Sequence, residues 1–293
     1  MDEEEFEPAR WYRLLEEERV AVWYTSPTAL RMLMHAAPAL AKARDLDALR
    51  LIASVGEPLN PDVIAWAERE LGRPVHDTWW QTETGAIMIG NVAAQDIKPG
   101  AMGRPVPGIE AAVVHRDDSG ALGIVEQADE VGELALGAGW PSMFRAYLND
   151  DARYRQCFRD GWYLSGDLVR RDADGYFWFV GRSDDVIKSA GHLISPIEVE
   201  SALHEHPAIA EVAVVGKSDP LVGALVVAYV TLNAGKQPGE ALRREILAHG
   251  RRRLGAALAP RDIVFRPSLP KTESGKIKRR LLAEEQGADR PET

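Results

Sequence analysis

The sequence predicts an α/β protein in which an alternating helix–strand stretch leads into an antiparallel β-rich region and then a smaller α+β domain. Three observations carry this. Residues 27–80 alternate helical and strand-like patterns, with a cap or breaker at each change. Residues 100–181 break into short apolar runs between Gly, Pro and Asp turns. After Asp185 the chain returns to alternating helix and strand for ~100 residues, enough for one domain.

Taken in order, Ser26 and Pro27 are an N-cap and a first-turn proline, opening a helix to about His35. Residues 49–55 form an apolar strand that stops at Gly56. Asn60 and Pro61 open a second helix, which Gly72 closes. Residues 74–80 are the next strand. Strand, crossover helix and strand in so short a span make a parallel βαβ unit. Ligands of such sheets lie beyond the carboxyl ends of the strands, here Gly56-Glu57-Pro58 and the residues from Trp80 to Glu83. Strands at 110–114, 132–136 and 176–180, with a turn at Asp172-Ala173-Asp174-Gly175, predict a small antiparallel region of distorted-barrel form. The last domain reads as helix 196–204, strands 211–215 and 224–232, helix 240–254 and strand 263–266. The expected division is 1–181, a hinge at 182–185, and 186–293.

The chain has 293 residues, 45% apolar and 27% charged, enough apolar side chain for a real core. Its longest apolar runs fall far short of the ~20 residues of a membrane span. The start is acidic, where a secretory signal is basic and then apolar. Cys157 is the single cysteine, so no intramolecular disulfide or Cys-rich metal site is expected. Together these predict a cytoplasmic protein that binds no membrane. The net charge of −10 argues against nucleic acid as a partner. Charge is uneven: residues 186–293 carry 16 Lys+Arg against 13 Asp+Glu. That excess is either a solvated helix face or a place for a small anion such as phosphate.

Several segments, in order, carry a resemblance. They are Ser54 to Asn60 (Ser-Val-Gly-Glu-Pro-Leu-Asn), Asp77 to Gly85 (Asp-Thr-Trp-Trp-Gln-Thr-Glu-Thr-Gly) and Trp162 to Asp167 (Trp-Tyr-Leu-Ser-Gly-Asp). Gly181 to Ile187, Gly191-His192 and Pro270 to Lys276 follow. At these spacings the chain resembles the AMP-forming acyl-CoA synthetases of the adenylate-forming superfamily, and within them the acetate–CoA ligases. The resemblance implies the end of a large α/β domain with an antiparallel β subdomain, followed by a smaller, mobile C-terminal domain. It implies that acetate and ATP give acetyl-AMP and pyrophosphate, and that coenzyme A then displaces AMP. Acetate, ATP and CoA are the implied small-molecule substrates, with Mg2+ as the metal and no prosthetic group.

The resemblance also assigns residues. Gly56, Glu57 and Pro58 would form a shelf for adenine, with Asp77, Thr78 and Gln81 around the base and ribose. Thr82 would meet the α-phosphate and Glu83 would hold Mg2+ with ATP. Asp167 would take the ribose hydroxyls, with Arg182 beside the ribose or phosphate. Trp80 and Val55 would wall the acyl pocket, the indole keeping it short. Propionate should therefore be used less well than acetate, since one methylene is worth only ~1–3 kcal/mol. Lys276 would be the catalytic ammonium beside carboxylate and α-phosphate, and a site of inhibitory acetylation. Gly191 and Arg251 would serve CoA, Asp184 would be the hinge, and His206 would lie at a structural Mg2+.

Plainer readings stand beside these. Gly56 to Pro58 can be an ordinary turn, Val55 a buried strand residue and Trp79 core packing. Asp167 can be a turn residue, Asp184 and Lys276 exposed charges, Arg251 a solvated helix face and His206 a helix-end histidine. Two departures from the family pattern matter. Leu193 stands where many relatives carry an arginine. The Ser/Thr/Gly-rich phosphate loop of the family's upstream half is not in these residues, so a separate N-terminal half is an expected partner. Two alternatives therefore remain: a non-catalytic or degenerate nucleotide-binding fragment, and a ligase for longer acids, from propionate to medium-chain.

Overall fold

The computed structural model describes residues 6–36, 39–117, 120–271 and 277–288. The chain divides into two compact units, Met1–Phe179 and Val180–Thr293.

In the first unit a helix, Pro8–Glu17, precedes strand Val22–Thr25, helix Pro27–Met34 and a short helix Ala39–Lys42. Strand Leu51–Ser54, helix Pro61–Leu71 and strand Val75–Trp79 follow. The three strands pair in parallel, Trp23 with Ile52 and Ile52 with Val75. Short strands Ile89–Gly90 and Arg104–Pro105 extend the sheet antiparallel to five. The caps explain the helices. Ser26 Oγ accepts from the Ala29 N–H at 3.2 Å with Pro27 at the first turn. Gly72 ends helix Pro61–Leu71 in the left-handed region at φ 67°. Leu30, Leu33, Ile52, Val63, Ala67 and Val75 are buried together, so the helices cover the parallel sheet.

The β-rich part of this unit is a sheet of six strands. Its order is Phe177–Arg182, Trp162–Arg171, Val131–Gly137, Ala111–Arg116, Leu122–Ile124, with Phe158–Arg159 beside Trp162–Arg171. Its end strand is bonded further: Phe177 N–H donates to Gly103 O at 2.8 Å and Met102 N–H to Phe177 O at 2.9 Å. Strand Trp162–Arg171 runs straight through the Ser165-Gly166-Asp167 segment. Gly166 has φ 73° and the register against Val131–Gly137 slips between Leu164 and Leu168, which marks a bulge.

The second unit opens with a hairpin, Ile187–Ser189 and His192–Ile194, absent from the sequence reading. Its turn is Ala190-Gly191, both left-handed (φ 49° and 83°), as a two-residue hairpin of this twist requires. Helix Pro196–His204 is capped by Ser195, which accepts from Glu198 N–H at 3.3 Å. Strands Ile209–Asp219 and Gly223–Leu232 form a long antiparallel pair, and Asp262–Phe265 adds in parallel. Alternate residues of this sheet enter two cores: Val212, Val214 and Ala228 on one face, Ala213, Val215 and Tyr229 on the other. Helix Glu240–Leu258 continues past the expected end and kinks at Gly255 (φ 77°). Helix Arg279–Ala288 closes the described chain, its Leu282 in the second core. No described helix is long and apolar enough to cross a membrane.

Candidate functional site

The carboxyl ends of the parallel strands collect the predicted residues of the first unit. Gly56 takes φ 94°, which a residue with a Cβ adopts only under strain. Glu57 turns toward helix Pro27–Met34, where Thr28 Oγ1 donates at 2.7 Å and Arg31 Nη2 at 2.7 Å. Its carboxylate thus anchors the turn, and Gly56, Pro58 and the Glu57 backbone form the outer edge. Val55 follows the strand end, its N–H donating to Thr25 O at 3.1 Å.

Asp77 and Thr78 face the sheet. Asp77 is 5% exposed and accepts from Ser54 Oγ at 2.8 Å. Burial pushes its carboxyl up to about 7, against the Ser54 hydroxyl and the Thr78 N–H, which favour the ionised form. Thr78 Oγ1 donates to Ser54 O at 2.7 Å and lies 2.8 Å from Tyr24 Oη. Trp80, at the rim and 36% exposed, donates its indole N–H to Tyr24 Oη at 2.8 Å.

The next turn is stapled to the β-rich sheet of the same unit. Trp79 Nε1 donates to Asp167 Oδ2 at 2.8 Å, and Gln81 Nε2 to the same oxygen at 3.1 Å. Gln81 is held in turn by Ser165 O at 3.0 Å and by Tyr163 Oη, which donates to Oε1 at 2.7 Å. Asp167 is 4% exposed and sits on the bulge at Gly166. Thr84 O receives Trp140 Nε1 at 2.9 Å and Ser142 Oγ at 2.7 Å. A Cβ on Gly85 would stand 2.4 Å from Ser142 O, so only glycine lets this loop close down. Thr82 is exposed at its crest.

Glu83 is half-buried and accepts from Tyr147 Oη at 2.7 Å. Burial and then this hydrogen bond push the Tyr147 phenol well above its usual range, so it remains a donor. A hard cation takes oxygen ligands, and one carboxylate suits a cation held mainly by phosphate and water. No cluster of three or more His, Cys, Asp or Glu among the described residues could hold a metal by itself. Glu83 has the donor chemistry for one contact to such a cation.

In the second unit Arg182 Nε lies 3.3 Å from Asp184 Oδ1, both exposed. Gly191 is the exposed hairpin glycine, and Arg251 is exposed on helix Glu240–Leu258. His206 is 4% exposed, and both of its ring nitrogens are engaged. Nδ1 accepts from Ala208 N–H at 3.2 Å, so Nε2 carries the proton facing Glu245 at 3.3 Å. That pairing leaves the ring no lone pair for a metal. Lys276 lies outside the described residues.

Sequence reasoning missed Tyr24, Tyr147, Tyr163 and the polar role of Trp79. Their partners lie 54 to 88 residues away, so no local pattern signals them. The Ser26-Pro27 cap next to Tyr24 was legible, but nothing in it showed what the phenol holds.

A parallel sheet with a glycine turn and a polar loop at its carboxyl edge is the general form of an α/β nucleotide site. The AMP-binding enzyme family matches residues 1–148, and the AMP-binding enzyme C-terminal domain matches residues 198–276. The chain belongs to the AMP-binding enzyme family. It is 48% identical over 278 residues to the acetyl-coenzyme A synthetase of Bacillus subtilis (strain 168), covering 94% of this chain and 48% of that one. To the acetyl-coenzyme A synthetase of Rubrobacter xylanophilus it is 44% identical, over 93% of this chain and 43% of that one. Among solved structures it is similar to the anthranilate CoA ligase AuaEII in complex with anthranoyl-AMP. There the TM-score is 0.81 at 34% identity, over 95% of this chain and 52% of that one. A benzoate CoA ligase from Burkholderia xenovorans LB400 gives 0.80 at 34% identity, over 96% and 54%. The chain thus spans about half the length of the curated relatives it matches.

Proposed function

We propose that the chain forms part of an AMP-forming acyl-CoA ligase whose acid is acetate. The observation that carries this is the meeting of Trp79 and Gln81 on one oxygen of the buried Asp167. Two donors on one oxygen hold that carboxylate in a single orientation, and an ionised carboxylate is the acceptor that ribose hydroxyls need.

In this reading a carboxylate oxygen of acetate attacks the α-phosphorus of ATP and pyrophosphate leaves. The CoA thiol then attacks the acyl carbonyl and AMP leaves. Gly56 and Pro58 shelve the base, Asp167 holds the ribose and Thr82 meets the α-phosphate. Asp77, Thr78 and Gln81 act chiefly by fixing the strand ends and Asp167. Mg2+, held by Glu83 and the phosphates, would offset the charge of the pyrophosphate group. Trp80 and Val55 bound a short acyl pocket. Lys276 supplies an ammonium to the acid and α-phosphate, Arg182 a second cation, Gly191 and Arg251 serve CoA, and Asp184 is the hinge.

The test is to supply the chain with the N-terminal half of the Bacillus subtilis relative and follow acetate-dependent pyrophosphate exchange and AMP release. Activity that appears only in the pair, and drops at least about a hundredfold in Lys276→Ala, is the expected result. A pair that binds ATP without forming adenylate would instead favour a nucleotide-binding module.

A further inference from the structure

Trp80 and Tyr24 are both partly exposed, 36% and 44%, and side chains so placed ordinarily sample several rotamers. Here a directional chain of hydrogen bonds restricts them. The Trp80 indole N–H can only donate, so Tyr24 Oη accepts from it at 2.8 Å. The Thr78 hydroxyl donates to Ser54 O at 2.7 Å, so its oxygen accepts the remaining proton, that of Tyr24, across 2.8 Å. Every proton is thereby assigned. The chain ends on a backbone carbonyl of a fully buried residue in the middle of the parallel sheet. Tyr24 is on strand Val22–Thr25 and Thr78 on Val75–Trp79, with Leu51–Ser54 between them. The phenol spans the middle strand, where its paired residue is the small Ala53.

We infer that Tyr24 is a specificity-positioning residue for short carboxylic acids: its hydroxyl fixes the angle of the Trp80 indole and so the length of the acyl pocket. This rests on Trp80 bounding that pocket. With Phe at position 24 the indole loses its acceptor, and the Thr78 oxygen loses its donor. The ring of Trp80 then swings, and acids one or two methylenes longer fit.

The test has two readouts. In the chain itself, labelled with 15N-indole tryptophan and with Trp80 assigned through Trp80→Phe, Tyr24→Phe should move the Trp80 indole resonance and speed its hydrogen exchange. In the reconstituted pair, Tyr24→Phe should raise the propionate-to-acetate ratio of kcat/KM in pyrophosphate exchange by about fivefold, the weight of one hydrogen bond. Thr78→Val, which removes the hydroxyl that receives the tyrosine proton, should shift that ratio in the same direction. Trp80→Gly is the control for the pocket and should favour longer acids by more than tenfold. If Trp80→Gly moves the preference but Tyr24→Phe moves neither the ratio nor the resonance, the role of Tyr24 is overturned while the pocket stands. If Trp80→Gly moves nothing, the pocket assignment falls and the role of Tyr24 falls with it.

Discussion

At the residue scale the clearest consequence belongs to Asp77, whose buried carboxyl is raised to about 7 with burial as the first cause. An unfolded aspartate titrates near ~3.9, so between about pH 4 and 7 the folded state keeps a proton that the unfolded state has released. The unfolded state then binds fewer protons, and stability falls as pH rises through that window. Asp77→Asn keeps the oxygen that accepts from Ser54 but has no proton to lose. It should remove about 1–3 kcal/mol of the decline, read as a smaller drop in urea midpoint between pH 4.5 and pH 8. Parallel declines in the two proteins would refute this. Trp79 yields a second expectation. Trp79→Phe keeps most of the ring packing and deletes one of the two donors on Asp167 Oδ2. In the reconstituted pair its preference for ATP over 3′-deoxy-ATP should fall severalfold, because a reoriented Asp167 grips the ribose less well. An unchanged ratio alongside a lower melting temperature would make Trp79 structural only. The motif around these residues was legible in sequence. The fact that Trp79 holds Asp167 was not, since hydrogen bonds across 88 residues leave no spacing to read.

At the scale of elements, what could be read locally was read well. The Ser26-Pro27 cap, the Gly72 stop, the βαβ unit and helix Pro196–His204 follow from caps and apolar spacing. Strand Trp162–Arg171 and the Ala190-Gly191 hairpin escaped because Gly and Asp inside them look like punctuation. A bulge at Gly166 and a two-residue turn use those residues within a sheet instead of ending it. The turn at Asp172-Ala173-Asp174-Gly175 was legible, but its stabilising partner was not. Lys98 Nζ reaches Asp172 at 2.7 Å and Asp174 at 2.6 Å from 74 and 76 residues away. Burial works to raise the Asp172 carboxyl, yet Lys98, the Tyr176 N–H and the Trp178 indole outweigh it and hold the group down at about 2. A depressed folded value means stability that is present above ~4 and lost as pH falls from there toward about 2. Lys98→Met should therefore destabilise the protein at pH 7, with the difference shrinking as pH falls toward about 2. A constant difference across that range would assign the effect to packing instead of charge.

At the scale of the whole molecule, the edge strand Val22–Thr25 is a place where further chain could pair. Trp23 is buried in the core of its unit, whereas Val22 and Tyr24 are 55% and 44% exposed on a strand that, among the described residues, pairs on one side only. An unpaired edge carrying exposed apolar side chains invites another strand, and its backbone groups face water until one arrives. This chain covers 48% and 43% of the two relatives, so each has about as much chain again outside the match. If the N-terminal half of the Bacillus subtilis relative covers it, hydrogen exchange at residues 22–25 should slow by at least tenfold when the two are mixed. The edge of the three-stranded sheet in the second unit, strand Asp262–Phe265, should be unaffected. Slowing throughout the chain would report general stabilisation by binding, and slowing elsewhere but not at 22–25 would place the partner on another face. Protection confined to this edge, gained together with acetate-dependent AMP release, would tie the added chain to the completed acyl pocket, because Tyr24 belongs to both.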